Sequence, residues 1–99
     1  MDELIGKHKR FLRALGNEVR PKVFVGKSGI CETLVQSLNN VFNKNELVKV
    51  RIEKNCAIEK RELASLLVDA SNAYLVQILG NTILLYRPDK EKPLIDLPR

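Results

Sequence analysis

A short β-prone run at residues 23–25 leads into Gly-Lys-Ser-Gly at residues 26–29, and an amphipathic helical pattern begins directly afterwards. A second β-prone run, with period-two alternation, begins at Leu47. When a strand, a helix and a strand follow one another, the two strands run parallel if they pair, because a crossover connects them. This βαβ unit is the feature that most limits how the chain can fold.

Three further segments complete the predicted element order. Apolar residues at helical spacing from Leu4 to Leu15 predict a first helix that ends at Gly16, and Asn55 is a candidate N-cap for a third helix. Two β-prone runs at residues 73–79 and 83–86 flank Gly-Asn-Thr, which is typical of an antiparallel hairpin, and both are apolar enough to be inner strands. The order α-β-α-β-α-β-β predicts a two-layer α/β domain with three helices and a mixed four-stranded sheet. The pattern leaves the strand order open.

The length of 99 residues suits one domain, so we expect a single domain over residues 1–99. Prolines at 88, 93 and 98 oppose regular structure in the last part of the chain. Residues 87–99 are therefore expected to form an extended arm, which Leu94, Ile95 and Leu97 could attach to the domain.

The charge balance favours an anionic partner. Seventeen Lys and Arg residues against twelve Asp and Glu give a formal net charge of +5. Lys9, Arg10 and Arg13 cluster opposite the apolar arc of the first helix. Lys49 and Arg51 share one face of the predicted strand at residues 47–52, where they either line a phosphate track or form a solvated sheet face. The pattern does not decide between these two roles.

The Gly-Lys-Ser-Gly loop is the candidate contact to a nucleic-acid backbone. Its glycines allow a close backbone approach, and the N-terminus of the following helix would favour a phosphate. Lys27 adds a positive charge, and the amides around residues 27–29 would supply directional hydrogen bonds.

A nucleotide-hydrolysing phosphate loop is the sharpest rival interpretation, because Gly-Lys-Ser stands between a strand and a helix. The full motif is G-x-x-x-x-G-K-[ST], so its first glycine would have to stand five residues before Gly26. That position holds Pro21, which has no N–H and a fixed φ. The sequence therefore does not predict a nucleotide hydrolase.

Other catalytic or cofactor chemistry is not expected either. His8 is the only histidine and falls on the apolar arc of the first helix, where a structural role is expected. Cys31 and Cys56 are isolated, so they suit neither a zinc site nor an oriented nucleophile pair. We expect two reduced thiols in a cytoplasmic, monomeric protein that is not an enzyme. No cofactor, small-molecule substrate or membrane contact is predicted.

The five aromatic residues argue against a base-stacking platform. Phe11, Phe24 and Phe42 are expected in the core. Tyr74 and Tyr86 either pack within their strands, which we favour, or present their rings outward. Recognition is therefore expected to depend on phosphate contacts and on the shape of the nucleic acid.

Five stretches in a fixed order carry a family resemblance: residues 9–13, 25–30, 45–50, 76–80 and 84–88. With them the chain, from about residue 7 to residue 98, resembles the CRM domain (chloroplast RNA splicing and ribosome maturation) in its stand-alone bacterial, YhbY-like form. The resemblance implies an RNA-binding module similar to the C-terminal domain of a bacterial translation initiation factor. It also implies binding to ribosomal RNA of large-subunit precursors and a role in their assembly.

By the same resemblance, the loop at residues 26–29 is similar to the Gly-x-x-Gly loop of KH domains, which clamps backbone nucleotides. A scaffold that binds only proteins on ribonucleoprotein particles is the alternative. The residues expected to contact RNA are Lys7, Lys9, Arg10, Arg13, Lys22, Gly26, Lys27, Ser28, Gly29, Lys49, Arg51 and Arg87.

Overall fold

The structure, a computed structural model, describes residues 4–98. Residues 1–3 and 99 of the predicted domain, the last of which belongs to the predicted arm, lie outside the described part. The described elements are α1 (Gly6–Gly16), β1 (Pro21–Val25), α2 (Glu32–Phe42), β2 (Leu47–Ile52), α3 (Lys60–Ser71), β3 (Tyr74–Leu79) and β4 (Thr82–Tyr86). Three helices and a mixed four-stranded sheet are thus confirmed, in the predicted order.

The four strands form one sheet in the order β1-β2-β4-β3. β1 and β2 are parallel, as the βαβ unit requires, and β4 is antiparallel to both β2 and β3. The hairpin loop consists of Gly80 and Asn81, and Gly80 has φ +58°, a conformation that glycine adopts without strain. Only β2 and β4 are inner strands. β3 lies at an edge, so the expectation that both hairpin strands are inner was wrong for β3.

The main core lies between one face of the sheet, α2 and α3. Because side chains alternate along a strand, Val48 and Val50 of β2 point to the same face as Ile83 and Leu85 of β4. A fully buried aliphatic side chain of this size contributes about 1.5–3 kcal/mol. The main core comprises Val23, Val25, Leu34, Leu38, Phe42, Val48, Val50, Leu63, Ala64, Leu67, Ala73, Ile83 and Leu85.

A second, smaller core covers part of the other face, where α1 packs on β2, β3 and β4. The predicted two-layer arrangement is therefore corrected: the sheet carries helices on both faces. The physical reason is that Leu47 and Leu84 point away from the main core and require cover of their own. The second core comprises Leu12, Leu47, Val76, Leu84 and Tyr86.

The C-terminal arm, from residue 87, lies along this second core. The Glu46 side chain, only 5% exposed, accepts hydrogen bonds from the backbone N–H groups of Leu94 at 2.7 Å and Ile95 at 2.6 Å. It also accepts one from the N–H of Asp89. Ile95 and Leu97 pack against the core as expected, whereas the Leu94 side chain is 75% exposed. The buried carboxylate thus fixes the course of the arm.

α3 begins later than Asn55. Its N-cap is Glu59, whose carboxylate accepts hydrogen bonds from the N–H groups of Arg61 at 3.0 Å and Glu62 at 3.2 Å. Residues 53–59 consequently form an irregular segment between β2 and α3, which we call the 53–59 segment.

Candidate nucleic-acid interface

Residues 26–29 form a four-residue turn at the C-terminal end of β1, which we call the GKSG turn. The Gly26 carbonyl oxygen accepts a hydrogen bond from the N–H of Gly29 at 3.0 Å, which closes the turn. Lys27 and Ser28 occupy its tip, and both are exposed. The turn therefore presents one ammonium group and one hydroxyl group to solvent.

The two glycines let the turn sit closely on the 53–59 segment. Gly29 has φ +60°, and a Cβ atom there would lie 2.9 Å from Cδ1 of Ile58. A Cβ atom on Gly26 would lie 3.1 Å from Oδ1 of Asn55 and 3.3 Å from Oε1 of Glu53. Glycine at position 29 thus suits the left-handed backbone conformation, and a Cβ atom there would also force the end of the Ile58 side chain to shift. At position 26 it avoids tight contacts with two polar side chains.

The turn offers fewer backbone donors for hydrogen bonds to a phosphate than the sequence predicted. The N–H of Gly29 is already bonded inside the turn, so it is not free for a phosphate. Ile30 and Cys31 separate the turn from α2, whose first residue is the acidic Glu32. The N-terminus of α2 is therefore not part of the turn, and the expectation that the helix begins directly after the loop was wrong by two residues.

The GKSG turn lies at the end of the sheet where β2 also ends, because β1 and β2 are parallel. Thr82 pairs with Arg51 and begins β4, so the hairpin loop lies at this same end. Lys60 Nζ donates a hydrogen bond to the Gly80 carbonyl oxygen at 2.9 Å and thereby ties the start of α3 to the hairpin loop. We call this the turn end of the sheet.

α1 presents its cations to solvent, and its C-terminus lies beside this end. Gly16 packs on Leu84, since a Cβ atom at Gly16 would lie 2.5 Å from Cδ2 of Leu84. The C-terminus of α1 therefore lies over the Lys49–Leu84 pair of β2 and β4. On this sheet face, the next pair is Arg51–Thr82. The four cations predicted on α1 are all exposed: Lys7, Lys9, Arg10 and Arg13. Arg13 is in the last turn of α1, whose C-terminus lies beside the turn end.

Lys49 and Arg51 have different surroundings although they share a strand face. Lys49 is half-buried, and its Nζ donates a hydrogen bond to the Gly16 carbonyl oxygen at 2.8 Å. The same oxygen also accepts a hydrogen bond from the Val19 N–H at 3.1 Å. A cation at the C-terminus of a helix complements the helix dipole. Arg51 is exposed. Lys49 therefore holds α1 on the sheet, whereas Arg51 faces solvent.

Arg87 lies at the opposite end of the sheet from the GKSG turn, because the strand it follows, β4, is antiparallel to β2. Its Nη1 donates to Asn39 Oδ1 at 2.8 Å and to the Ser71 carbonyl oxygen at 2.9 Å, and its guanidinium lies 4.6 Å from the ring centre of Phe42. Burial lowers the pKa of Arg87 from its ordinary value. The structure thus places Arg87 between the C-terminal ends of α2 and α3, at the end of the sheet opposite the GKSG turn.

Lys22 is exposed but is likewise not at the GKSG turn. It stands near the start of β1, four residues before Gly26, a distance of about 13 Å along an extended strand. Its Nζ donates a hydrogen bond to Asn45 Oδ1 at 3.3 Å.

Two residues are exposed at the turn end although this was not predicted from the sequence. Phe24 was expected in the core but is 52% exposed, since Val23 and Val25 point into the main core and Phe24 points to the other face. Period-two alternation along residues 22–25 is the signal that could have revealed this. Lys54 is exposed in the 53–59 segment, between Glu53 and Asn55, whose side chains lie beside Gly26. No sequence motif pointed to Lys54.

The tyrosines follow the favoured interpretation. Tyr86 is buried, and its ring is stacked with that of Tyr74 at a centroid distance of 6.2 Å. Burial, the Glu46 carboxylate and Tyr74, in that order, raise the pKa of Tyr86 above its ordinary value.

The described residues show no cluster of three or more His, Cys, Asp or Glu side chains that could hold a metal ion. His8 Nε2 lies 2.9 Å from the Pro98 carbonyl oxygen, which is the structural role expected for it. Both cysteines are free thiols, Cys31 exposed and Cys56 half-buried. Within residues 4–98, no helix has the length and apolar character needed to cross a membrane.

Comparison with known proteins gives consistent results. The family model described as "CRS1 / YhbY (CRM) domain" matches residues 4–87. The "Probable RNA-binding protein YqeI" of Bacillus subtilis is 40% identical over 95 residues, which cover 96% of this chain and 99% of the relative. An "RNA-binding protein" of Haemophilus influenzae is 33% identical over 99 residues, which cover 100% of this chain and 99% of the relative. The solution structure of the protein SAV1595 from Staphylococcus aureus superimposes with a TM-score of 0.81 at 39% identity, covering 96% of this chain and 99% of that one.

Proposed function

Because the chain belongs to the CRS1 / YhbY (CRM) domain family, we propose that it is an RNA-binding protein that holds the RNA backbone with the GKSG turn and the cations around it. Relatives of nearly the same length carry RNA-binding names, which supports this proposal. The protein acts as one domain and as a cytoplasmic monomer, by binding alone, without an enzymatic step or a cofactor.

The observation that carries the proposal is the position of the GKSG turn. Its exposed tip, Lys27 and Ser28, projects at the same end of the sheet as the exposed Arg51. The C-terminal turn of α1, with Arg13, lies on the same sheet face as Arg51, over the neighbouring Lys49–Leu84 pair. Cations on a turn, a strand and a helix thus border one end of the fold, which suits a phosphate backbone passing over it.

The proposed contact surface differs from the one expected from the sequence: three of the predicted cations are left out, and one cation is added. Lys49 and Arg87 bind carbonyl and amide oxygens inside the fold, and Lys22 stands away from the turn. Lys54 is added because it is exposed beside the GKSG turn. The proposed RNA contacts are Lys7, Lys9, Arg10, Arg13, Gly26, Lys27, Ser28, Gly29, Arg51 and Lys54.

A double substitution at the tip of the turn tests the proposal. Lys27→Asp with Ser28→Asp replaces two exposed side chains, so the midpoint of thermal unfolding should stay within about 4 °C. Binding to a structured ribosomal RNA fragment should fall at least about tenfold, since a cation is lost and two anions face the phosphates. Fluorescence anisotropy with a labelled RNA measures this affinity.

A matched control separates local contact from overall charge. Lys90→Asp with Ser65→Asp also lowers the formal net charge by three from +5, at exposed sites on the arm and on α3. This control should bind RNA within about threefold of the unsubstituted protein. Equal loss in both variants would show that net charge, rather than the GKSG turn, governs binding.

Salt dependence distinguishes RNA-backbone binding from the protein-scaffold alternative. Each phosphate that the protein neutralises should contribute about 0.7–0.9 to the slope of log affinity against log salt concentration. The slope should be smaller in the GKSG-turn variant than in the control variant. Retention on ribonucleoprotein particles that does not respond to salt, together with no affinity for free RNA, would favour the scaffold.

The cellular RNA is proposed to be ribosomal RNA of large-subunit precursors, as the family resemblance implies. Crosslinking the protein to RNA in cells and sequencing the attached fragments should enrich precursors of the large-subunit RNA. The variant Lys27→Asp/Ser28→Asp should lose this enrichment, whereas Lys90→Asp/Ser65→Asp should keep it. Enrichment of messenger RNA or introns would contradict the assembly role and leave RNA binding itself intact.

A further inference from the structure

Four side chains form a row across the sheet at its turn end. In the strand pairing, Phe24 of β1 lies opposite Arg51 of β2. Arg51 in turn lies opposite Thr82 of β4, and Thr82 lies opposite Leu79 of β3. All four point away from the main core, because the next residues, such as Val25, Ile52 and Ile83, pack into it or against it. We call these four residues the open row: Phe24, Arg51, Thr82 and Leu79.

The open row is an uncovered part of this sheet face. The apolar side chains of the adjacent rows, such as Leu84 and Leu47, are buried under α1 and the arm. In the open row, by contrast, Phe24 is 52% exposed and Leu79 is 65% exposed. A single exposed apolar residue is ordinary. Here an exposed aromatic ring lies in an edge strand, with an exposed arginine as its neighbour about 4.8 Å away between strand axes.

Phe24 is also only two residues before Gly26, where the GKSG turn begins. Two residues of extended strand span about 7 Å. An RNA backbone held at the turn would therefore bring a neighbouring base within reach of the ring. Arg51 and Lys27 place two cations near the ring, against one carboxylate, that of Glu53, whose Oε1 lies beside Gly26. This excess of positive charge suits a nucleotide better than a basic partner.

We propose that Phe24 stacks on an unpaired base of the RNA whose backbone the GKSG turn holds, with the Arg51 guanidinium bound to the same nucleotide; this inference rests on the proposed function. Every base has a π-face, so stacking on one ring tolerates different bases. Arginine beside an aromatic ring can add a phosphate contact or a stacked contact of its own.

The ligand class becomes more specific as a result. Bases within an A-form duplex are stacked on their neighbours and cannot present a face to a protein ring. The preferred RNA must therefore contain a bulge, a loop or a single-stranded end beside the backbone segment that the turn holds. A preference for bulged RNA that came from backbone shape alone would not depend on the Phe24 ring.

Two hairpin RNAs of equal length test the inference, one fully paired and one with a single bulged 2-aminopurine. The protein should bind the bulged hairpin more tightly and should quench 2-aminopurine fluorescence. Phe24→Ala should lower affinity for the bulged hairpin by about 5- to 150-fold, the range found for loss of one base–aromatic stack. Its affinity for the paired hairpin should change less than about twofold.

Three further variants keep the result interpretable. Phe24→Leu retains apolar bulk and should bind nearly as weakly as Phe24→Ala, whereas Phe24→Trp should bind at least as tightly as the unsubstituted protein. Leu79→Ala removes the other exposed apolar side chain of the open row and should leave the quenching unchanged. Thermal unfolding of each variant verifies that the fold is intact.

The outcomes distinguish the two levels of the proposal. Equal binding of both hairpins by the protein and by Phe24→Ala would overturn the stacking role. RNA binding itself would still stand if Lys27→Asp/Ser28→Asp reduced it. Persistence of binding in that double variant would instead overturn the proposed function. Self-association in sedimentation that Phe24→Ala abolishes would also overturn the inference, because the ring would then belong to a protein interface.

Discussion

Lys49 and Arg51 are two residues apart on one strand face, and the structure predicts opposite consequences of replacing them. Lys49→Met keeps most of the length of the side chain but removes the ammonium group that bonds the Gly16 carbonyl oxygen at 2.8 Å. Arg51→Met removes a guanidinium group from an exposed side chain. We expect the first change to destabilise the fold and the second to weaken RNA binding.

The magnitude for Lys49→Met follows from its half-buried contact. A hydrogen bond to a charged group contributes about 1.5–3 kcal/mol, and a cation at a partly buried helix C-terminus up to about 2 kcal/mol. These two figures describe the same contact, so we expect a loss of about 2 kcal/mol in the free energy of unfolding. For a domain of this size, that loss lowers the midpoint of thermal unfolding by about 8–16 °C.

Arg51→Met should change the free energy of unfolding by less than about 0.5 kcal/mol, as is usual for exposed positions. If Arg51 neutralises one phosphate, its loss lowers the salt slope of RNA binding by about 0.7–0.9. The Lys49→Met protein, measured well below its unfolding midpoint, should keep the slope of the unsubstituted protein.

Circular dichroism during heating and anisotropy titrations at three salt concentrations provide both measurements. Hydrogen exchange adds the location, because amides near the C-terminus of α1 should lose protection in Lys49→Met and keep it in Arg51→Met. If Lys49→Met were as stable as the unsubstituted protein but lost one phosphate from the salt slope, Lys49 would be an RNA contact and the structural assignment would be wrong.

Three further predictions concern the turn, the arm and the buried tyrosine. Gly29→Ala should destabilise the fold by about 1–3 kcal/mol in urea unfolding, and by more than Gly80→Ala. Both glycines have positive φ, but only a Cβ at position 29 would meet a neighbouring side chain, at 2.9 Å; equal losses would contradict the close packing of the turn. Glu46→Gln should cost about 2–4 kcal/mol and expose the arm amides to hydrogen exchange, because an amide group cannot accept all three backbone N–H bonds; unchanged arm protection would exclude this role. The raised pKa of Tyr86 means that its neutral form is favoured in the folded state. The stability that this difference contributes should be present below pH 10 and lost as the pH rises through the folded-state pKa, so the free energy of unfolding of Tyr86→Phe should depend less on alkaline pH. Ultraviolet titration of the Tyr74→Phe protein, in which Tyr86 is the remaining tyrosine, should give a pKa above 10 for Tyr86. An ordinary pKa in that titration would refute the shift.

The sequence predicted the elements whose pattern is strictly local. The alternation at residues 47–52 gave β2 with the correct faces, and the βαβ order gave the parallel pairing of β1 with β2. The strand order could not be obtained in this way, because β3 and β4 are similarly apolar. Pairing of β4 with β2, which places β4 inside the sheet, depends on contacts far apart in the chain.

Two errors arose where one residue preference was given too much weight. Asn55 is a favourable N-cap residue type, but its side chain lies against Gly26, and Glu59 caps α3 instead. Phe24 was assigned to the core because it is large and apolar, although the alternation with Val23 and Val25 placed it on the other face. For Asn55 a contact with another segment determines the outcome, and for Phe24 the alternation of its own strand does.

The roles of the cations depend on tertiary neighbours that no pattern describes. Lys49 and Arg51 have the same local signature, yet only Lys49 lies under the end of α1. Arg87 follows a strand as a typical exposed cation would, but it lies between the ends of α2 and α3. A basic residue count therefore overstates the surface that is available to RNA.

The inner position of β4 determines when the sheet can close during synthesis. β4 is made after the other three strands, yet it lies between β2 and β3 and carries Ile83 and Leu85 into the main core. Until residue 86 has emerged, β3 has no partner within the sheet, and β1 and β2 alone form an incomplete parallel pair. Parallel and long-range pairings are slow to form, and unpaired apolar strands associate readily with other chains. The nascent protein is thus expected to need protection from chaperones until translation has passed β4, and only then to fold in one cooperative step.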